Sequence, residues 1–268
     1  MQDLLNTLET FLDSGVNELL SDKPQNLTKP TQIKNNSAIS NINGNSNQIE
    51  NNYKKNLVEE LKPTHNIIQN SRNLADSAKS LEELKETIKN FTGCSLHKTA
   101  KQAVFSDGNP NSQIMLVGEA PGASEDEQGI PFCGVSGKLL DEIFRSINHS
   151  RTENLYITNS VFWRPPGNRR PTDEEIMICR PFVEKHISLI KPKIIILVGS
   201  TALTSLLPNA TETITKIRGK FFKYNNQYLD SEINITAIFH PSYLLRQPFK
   251  KKLMWQDIVK INSFISNK

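Results

Sequence analysis

Ile194-Ile195-Ile196-Leu197-Val198 is an unbroken apolar run that stops at Gly199. A strand with one face in water alternates apolar and polar residues. This one does not alternate, so both of its faces must be covered, as in the middle of a parallel sheet. The run is far too short to cross a bilayer. Three other segments read as companion strands: Ile114 to Val117, ending at Gly118, then Leu155 to Thr158, then Ile233 to Phe239. Helical patterns separate them. Leu139, Leu140, Ile143, Phe144 and Ile147 form one stripe. Thr172 with Glu175 is a capping box opening a helix toward Ile190, which Pro181 is expected to break or kink. Ser80 with Glu83 precedes Leu81, Leu84 and Ile88, and a C-terminal helix carries Leu253, Trp255, Ile258, Ile261 and Phe264. Strand–helix alternation predicts an α/β sandwich with a mostly parallel sheet. Such sheets bind ligands beyond the carboxyl ends of their strands.

The first third of the chain has a different composition. Leu4, Leu5, Leu8, Phe11, Leu12, Val16, Leu19 and Leu20 recur at near-helical spacing, so residues 1–20 predict an amphipathic helix. It either docks on the main domain or recruits a protein partner. Ten asparagines lie between Asn26 and Asn56, and little there could build a core. Residues 21–77 are therefore expected to be an Asn-rich disordered linker, with the compact domain over residues 78–268. The low overall hydrophobic share of 37% agrees with part of the chain being unpacked. The net charge of +4 is compatible with nucleic acid without singling it out. The N-terminus lacks the basic start and apolar core of a signal peptide, and Cys94, Cys133 and Cys179 do not form a disulfide framework. The expectation is a cytoplasmic, monomeric protein without a membrane segment.

Three loops at strand ends carry the polar chemistry. Gly118-Glu119-Ala120-Pro121-Gly122 runs on through Glu125 and Asp126 to Pro131-Phe132-Cys133-Gly134. Its glycines permit close backbone approach, its prolines stiffen it, and its carboxylates could position a water. The second loop, Asn159 to Pro171, holds Arg164, Arg169 and Arg170 among prolines. Arginines on a stiff loop suit phosphate, and the Asn159 amide offers a base a donor and an acceptor together. The third is His240-Pro241-Ser242-Tyr243-Leu244-Leu245-Arg246. A histidine at a strand end can donate to developing negative charge, and exposed leucines beside cations can wedge into a base stack. Each loop alone is equally readable as an ordinary turn. Together at the strand ends of one domain they point to a base in nucleic acid.

These motifs, in this order and spacing, resemble those of family 4 uracil-DNA glycosylases over roughly residues 86–256. The resemblance rests on Val117 to Gly122, Glu125-Asp126, Pro131-Phe132, Tyr156 to Asn159, Arg164 to Arg169 and His240 to Arg246. It implies a three-layer α/β/α fold, uracil-containing DNA as partner, and hydrolysis of the N-glycosidic bond of a flipped uracil, leaving an abasic site. By this resemblance Phe132 stacks on uracil, Asn159 reads its edge, and the backbone of Gly118 and Glu119 lines the pocket. His240 stabilises the departing anion. Glu125 is the candidate for positioning water, and Asp126 is expected to be structural. Leu244 or Leu245 fills the gap in the duplex, with Arg164, Asn168, Arg169 and Arg246 along the DNA. Another branch of the superfamily has an acid where Ala120 stands; family 4 does not.

One departure is plain. Family 4 carries a [4Fe–4S] cluster on four cysteines, whose positions here are Phe91, Cys94, Trp163 and Cys179. Phenylalanine and tryptophan cannot ligate iron, so the cluster is expected to be absent, with Phe91 and Trp163 filling its volume. Two alternatives remain beside a glycosylase: a catalytically weak uracil-DNA-binding protein, and a repair or replication adaptor.

Overall fold

The computed structural model describes residues 64–266; the expected helix over residues 1–20 and the Asn-rich tract lie outside these residues. In chain order the elements are α1 (described over residues 64–77), α2 (Leu81–Asn90), β1 (Asp107–Gly108), β2 (Ile114–Gly118), α3 (Ala123–Gln128), α4 (Val135–Arg145) and β3 (Tyr156–Asn159). There follow α5 (Asp173–Ile190), β4 (Ile194–Val198), α6 (Ser200–Leu206), α7 (Ile214–Ile217), β5 (Phe221–Tyr224), β6 (Ile233–Ile238), α8 (Pro241–Arg246) and α9 (Lys251–Ser266). The strands form one sheet in the order β1-β3-β2-β4-β6-β5. The four inner strands are parallel, and β1 and β5 are antiparallel edges.

The inner strands bury both faces. Met115, Val117, Ile195, Leu197, Ile235 and Ala237 point into one core, against α2, α5 and α6. Their neighbours Ile114, Leu116, Ile194, Ile196, Val198 and Ile238 point into the other, against α4 and α9. This is the period-two alternation of a strand with helices on both sides, and it makes the three-layer sandwich that the motifs imply. β2 has β3 on one side and β4 on the other, so the chain changes direction across the sheet there. That opens a crevice at the carboxyl ends of the strands.

Two expectations are corrected. The linker does not reach residue 77: residues 64–77 are helical, and Ser71, Ala75 and Ala78 are buried. Ile67, Ile68, Ser71, Leu74, Ala75 and Ala78 form a stripe at helical spacing that packs on the core. The Tyr228 hydroxyl donates to Asp76 at 2.5 Å and ties the helix down. Pro181 does not interrupt α5, which runs unbroken from Asp173 to Ile190. Proline removes one helical hydrogen bond. Here the proline is buried, in a helix with a complete Thr172–Glu175 capping box.

His186, on α5, is wholly buried, stacked on Phe105 at 4.4 Å and hydrogen-bonded to the Tyr156 hydroxyl at 2.7 Å. Burial lowers its pKa from 6.5 to about 3. The folded protein therefore favours the neutral ring, and the unfolded chain takes up the proton first. The contribution is complete above pH 6.5 and is lost as the pH falls toward 3. Unfolding free energy should drop by up to about 1.4 kcal/mol per pH unit across that window. In denaturant titrations, His186→Phe should flatten this slope whatever its effect at pH 7; an unchanged slope would remove His186 from the account.

Candidate active site

Gly118 and Asn159 end the adjacent strands β2 and β3 and face each other in register. Hydrogen bonds to Gly118 O hold the two loops together, from the Ser160 N–H at 2.9 Å and the Ser160 hydroxyl at 2.8 Å. A Cβ on Gly118 would lie 2.3 Å from Asn159 Oδ1 and 2.4 Å from the Phe132 ring, so only glycine fits. Phe132 thus rests on the end of β2, with Asn159 beside it. Asn159 is 1% exposed, and its Oδ1 is buried without a hydrogen-bond partner. An unpaired buried acceptor costs roughly 1–3 kcal/mol, which a donor bound at that atom would offset.

A cleft of about 700 Å³ opens over this point. Phe132, Glu119, Glu125, His240, Tyr243 and Arg246 are among the residues that line it. Gly118 and Asn159 do not reach its wall, because the Phe132 ring stands against them.

His240 follows β6 and caps the N-terminus of α8. Its Nδ1 lies 3.2 Å from the backbone N–H of Ser242 and 2.8 Å from the Ser242 hydroxyl. A backbone N–H can only donate, so Nδ1 accepts and the neutral ring carries its proton on Nε2. Burial lowers the His240 pKa, which keeps the ring neutral. The imidazole is therefore poised to donate from Nε2, with its ring 5.7 Å from that of Phe132.

The carboxylates do positional work. Glu125 accepts from Gly122 N–H at 3.1 Å and Gly134 N–H at 2.8 Å, stapling the two halves of the first loop. Each oxygen keeps a lone pair for a water in the cleft. Glu119 accepts from the Thr201 hydroxyl at 2.7 Å and so joins the ends of β2 and β4. Asp126 accepts from Lys101 N–H at 2.8 Å and is structural.

The residues expected along DNA divide. Arg164 donates to Asn168 Oδ1 at 2.7 Å, and Arg169 forms a two-pronged pair with Glu175 at 2.9 and 2.7 Å. Arg169 thus anchors its loop to α5 before it meets anything else, and Glu175 is held below its usual pKa by it. Of the two leucines, Leu244 is 0% exposed and belongs to the core, which removes it as the wedge. Leu245 is 42% exposed, because one residue along a helix turns the side chain by about 100°. Arg246 lines the cleft.

Sequence reasoning missed Arg151, which binds the carbonyls of Pro131 and Phe132. No motif marks it, since its partners are distant in the chain.

The four cluster positions meet in one place. Phe91, Cys94, Trp163 and Cys179 are all buried in the same core. The two buried thiols influence each other's ionisation, and burial pushes the Cys179 thiol well up. The Phe91 and Trp163 rings lie 6.3 Å apart, and Phe91 packs edge-on against Phe182 at 5.1 Å. Two thiols walled by aromatic rings do not match a [4Fe–4S] cluster, which needs four thiolates. Among the described residues no group of three or more His, Cys, Asp or Glu side chains could hold a metal ion.

An asparagine and a neutral histidine thus converge on an aromatic ring at the strand ends of an α/β sandwich. The uracil DNA glycosylase superfamily model matches residues 105–259. The chain is 37% identical to the type-4 uracil-DNA glycosylase of Sulfurisphaera tokodaii, over 68% of this chain and 83% of that one. It is 38% identical to that of Thermotoga maritima (69% and 94%) and 39% identical to that of Pyrobaculum aerophilum (66% and 91%). The chain belongs to the uracil-DNA glycosylase superfamily, and these relatives are of its type-4 branch.

Gly118→Ala should lower excision of a base from DNA about 100-fold, because the added methyl displaces both Phe132 and Asn159. Affinity for undamaged DNA should stay near wild type in a fluorescence-anisotropy titration. Equal losses in both would mean that the substitution disturbs the whole face.

Proposed function

We propose that the protein excises uracil from DNA by hydrolysing the bond between the base and C1′ of the deoxyribose, leaving an abasic site. The unpartnered Asn159 oxygen beside Phe132 carries this reading. Uracil offers an N3–H donor to Oδ1 and an O4 acceptor to the amide nitrogen; cytosine reverses that pattern and is rejected. The flipped base reaches Asn159 by turning the Phe132 ring aside and then stacks on it. The Nε2–H of His240 donates to uracil O2, where negative charge gathers as the C1′–N1 bond breaks. The sugar becomes cation-like, and the fixed negative charge of Glu125 faces it across the cleft. A water held by Glu125 adds to C1′ and releases its proton, while the uracil anion is protonated and departs. Leu245 takes the vacated place in the stack, with Arg246 at phosphate.

The reading extends to the cofactor. Phe91 and Trp163 fill the space of a cluster, so that aromatic packing holds α2, the loop after β3 and α5 together. It extends also to a monomer in a reducing cytoplasm, with residues 1–20 recruiting a protein partner. Three free cysteines, and described helices too short or too polar to cross a membrane, support that setting.

A labelled oligonucleotide with one uracil, treated with protein and then alkali, should break at the uracil, and an undamaged control should stay whole. Asn159→Ala should abolish the break without unfolding the protein. His240→Ala should slow single-turnover cleavage by about 100-fold or more with little change in binding, since its contact strengthens as charge develops. Uracil-dependent binding without cleavage by the wild type would leave only a recognition protein.

Purified protein should be colourless, with iron and acid-labile sulfide far below four atoms per chain in elemental analysis. Stoichiometric iron and sulfide would overturn the clusterless reading.

A further inference from the structure

Phe132 holds a backbone conformation that its side chain does not favour. Its φ is +52°, in the left-handed region that L residues with bulky side chains rarely occupy. Such a residue persists only where its surroundings over-determine it. Around Phe132 they do so through one side chain that no motif includes.

Arg151 sits in the connection between α4 and β3, and its side chain is 15% exposed. Four of its five N–H groups are engaged. Nη2 donates to the Phe132 carbonyl at 2.5 Å, and Nη1 to the Pro131 carbonyl at 2.6 Å. Nη1 also donates to Asp107 Oδ2 at 3.0 Å, and Nε to Asp141 Oδ1 at 2.8 Å. The two carboxylates come from different layers, Asp107 on edge strand β1 and Asp141 on helix α4. They aim the rigid fork, and the fork holds the carbonyls on either side of the strained residue. Gly137 of α4 closes the same contact: a Cβ there would lie 1.6 Å from the Phe132 carbonyl oxygen. The Phe132 backbone is thus gripped by Arg151 and Gly137 on one side, while its ring rests on Gly118 and Asn159 on the other.

We infer that Arg151, aimed by Asp107 and Asp141, is a positioning residue that sets the Phe132 ring in the base pocket. It touches neither the base nor the sugar. It fixes the backbone, so that only the side-chain torsions of Phe132 move when a base enters. The inference rests on the glycosylase reading for the consequence, but not for the geometry.

The test uses the full chain and two independent readouts. In the first, 4-fluorophenylalanine replaces Phe132 and its fluorine resonance is recorded without DNA. Arg151→Lys, which can reach one carbonyl but cannot form the fork, should shift or broaden the line. An unchanged line overturns the proposal. The second is a double-mutant cycle on single-turnover uracil excision. Arg151→Lys and Phe132→Leu should each cost about 10- to 100-fold, and the double variant should be no slower than Phe132→Leu alone. Losses that multiply would show that Arg151 acts elsewhere and overturn the assignment. If Arg151→Lys does not fold, Asp107→Asn and Asp141→Asn, which leave the guanidinium in place, should show the same non-additivity on a smaller scale. Full activity and an unshifted resonance in both would equally overturn it. A fluorine response without wild-type excision would retire the glycosylase reading and keep the clamp; excision without a response would do the reverse.

Discussion

The contact between the Phe132 ring and the backbone of Gly118 governs the site. No side chain separates the end of β2 from the ring, so the aromatic face and the Asn159 amide share one point in space. Because β2 and β3 are paired in register, Gly118 and Asn159 cannot drift apart without breaking the sheet. The aromatic face and the amide therefore inherit the rigidity of the buried sheet. His240 arrives from β6, on the far side of β4, and its ring is oriented by hydrogen bonds from Ser242.

Charged side chains in this face hold the scaffold first. Glu125 binds two glycine N–H groups, Arg151 binds two carbonyls, and Glu119 bridges to Thr201. Arg169 and Glu175 tie the second loop to α5. Each interaction joins segments that the sheet alone would leave loose. Partly buried charge pairs add little net stability once desolvation is counted, but a two-pronged geometry is selective in direction. What they contribute here is placement, which a bond-breaking site needs more than extra stability.

The core beside the second loop shows a different means to the same end. Phe91, Phe162, Trp163 and Phe182 pack edge to face or tilted around two thiols. Offset and edge-on aromatic contacts add stability beyond the area they bury. This packing holds the start of the arginine loop against α5 through apolar surface.

Much was legible from residue order. The unbroken run at Ile194 to Val198, the alternation around it and the capping boxes fixed the sheet class, because burial on both faces and helix entry leave local signatures. The strand-end motifs disclosed the family and most of the residues that line the cleft. Composition misled at residues 64–77, where a polar-looking segment carries an apolar stripe. The tertiary structure alone decided which of Leu244 and Leu245 is exposed, since helix phase depends on how α8 docks. It alone revealed Arg151, whose partners at Asp107, Pro131, Phe132 and Asp141 are brought together only by folding. Local patterns encode which face is buried, whereas a clamp built from four distant segments has no local pattern to encode it.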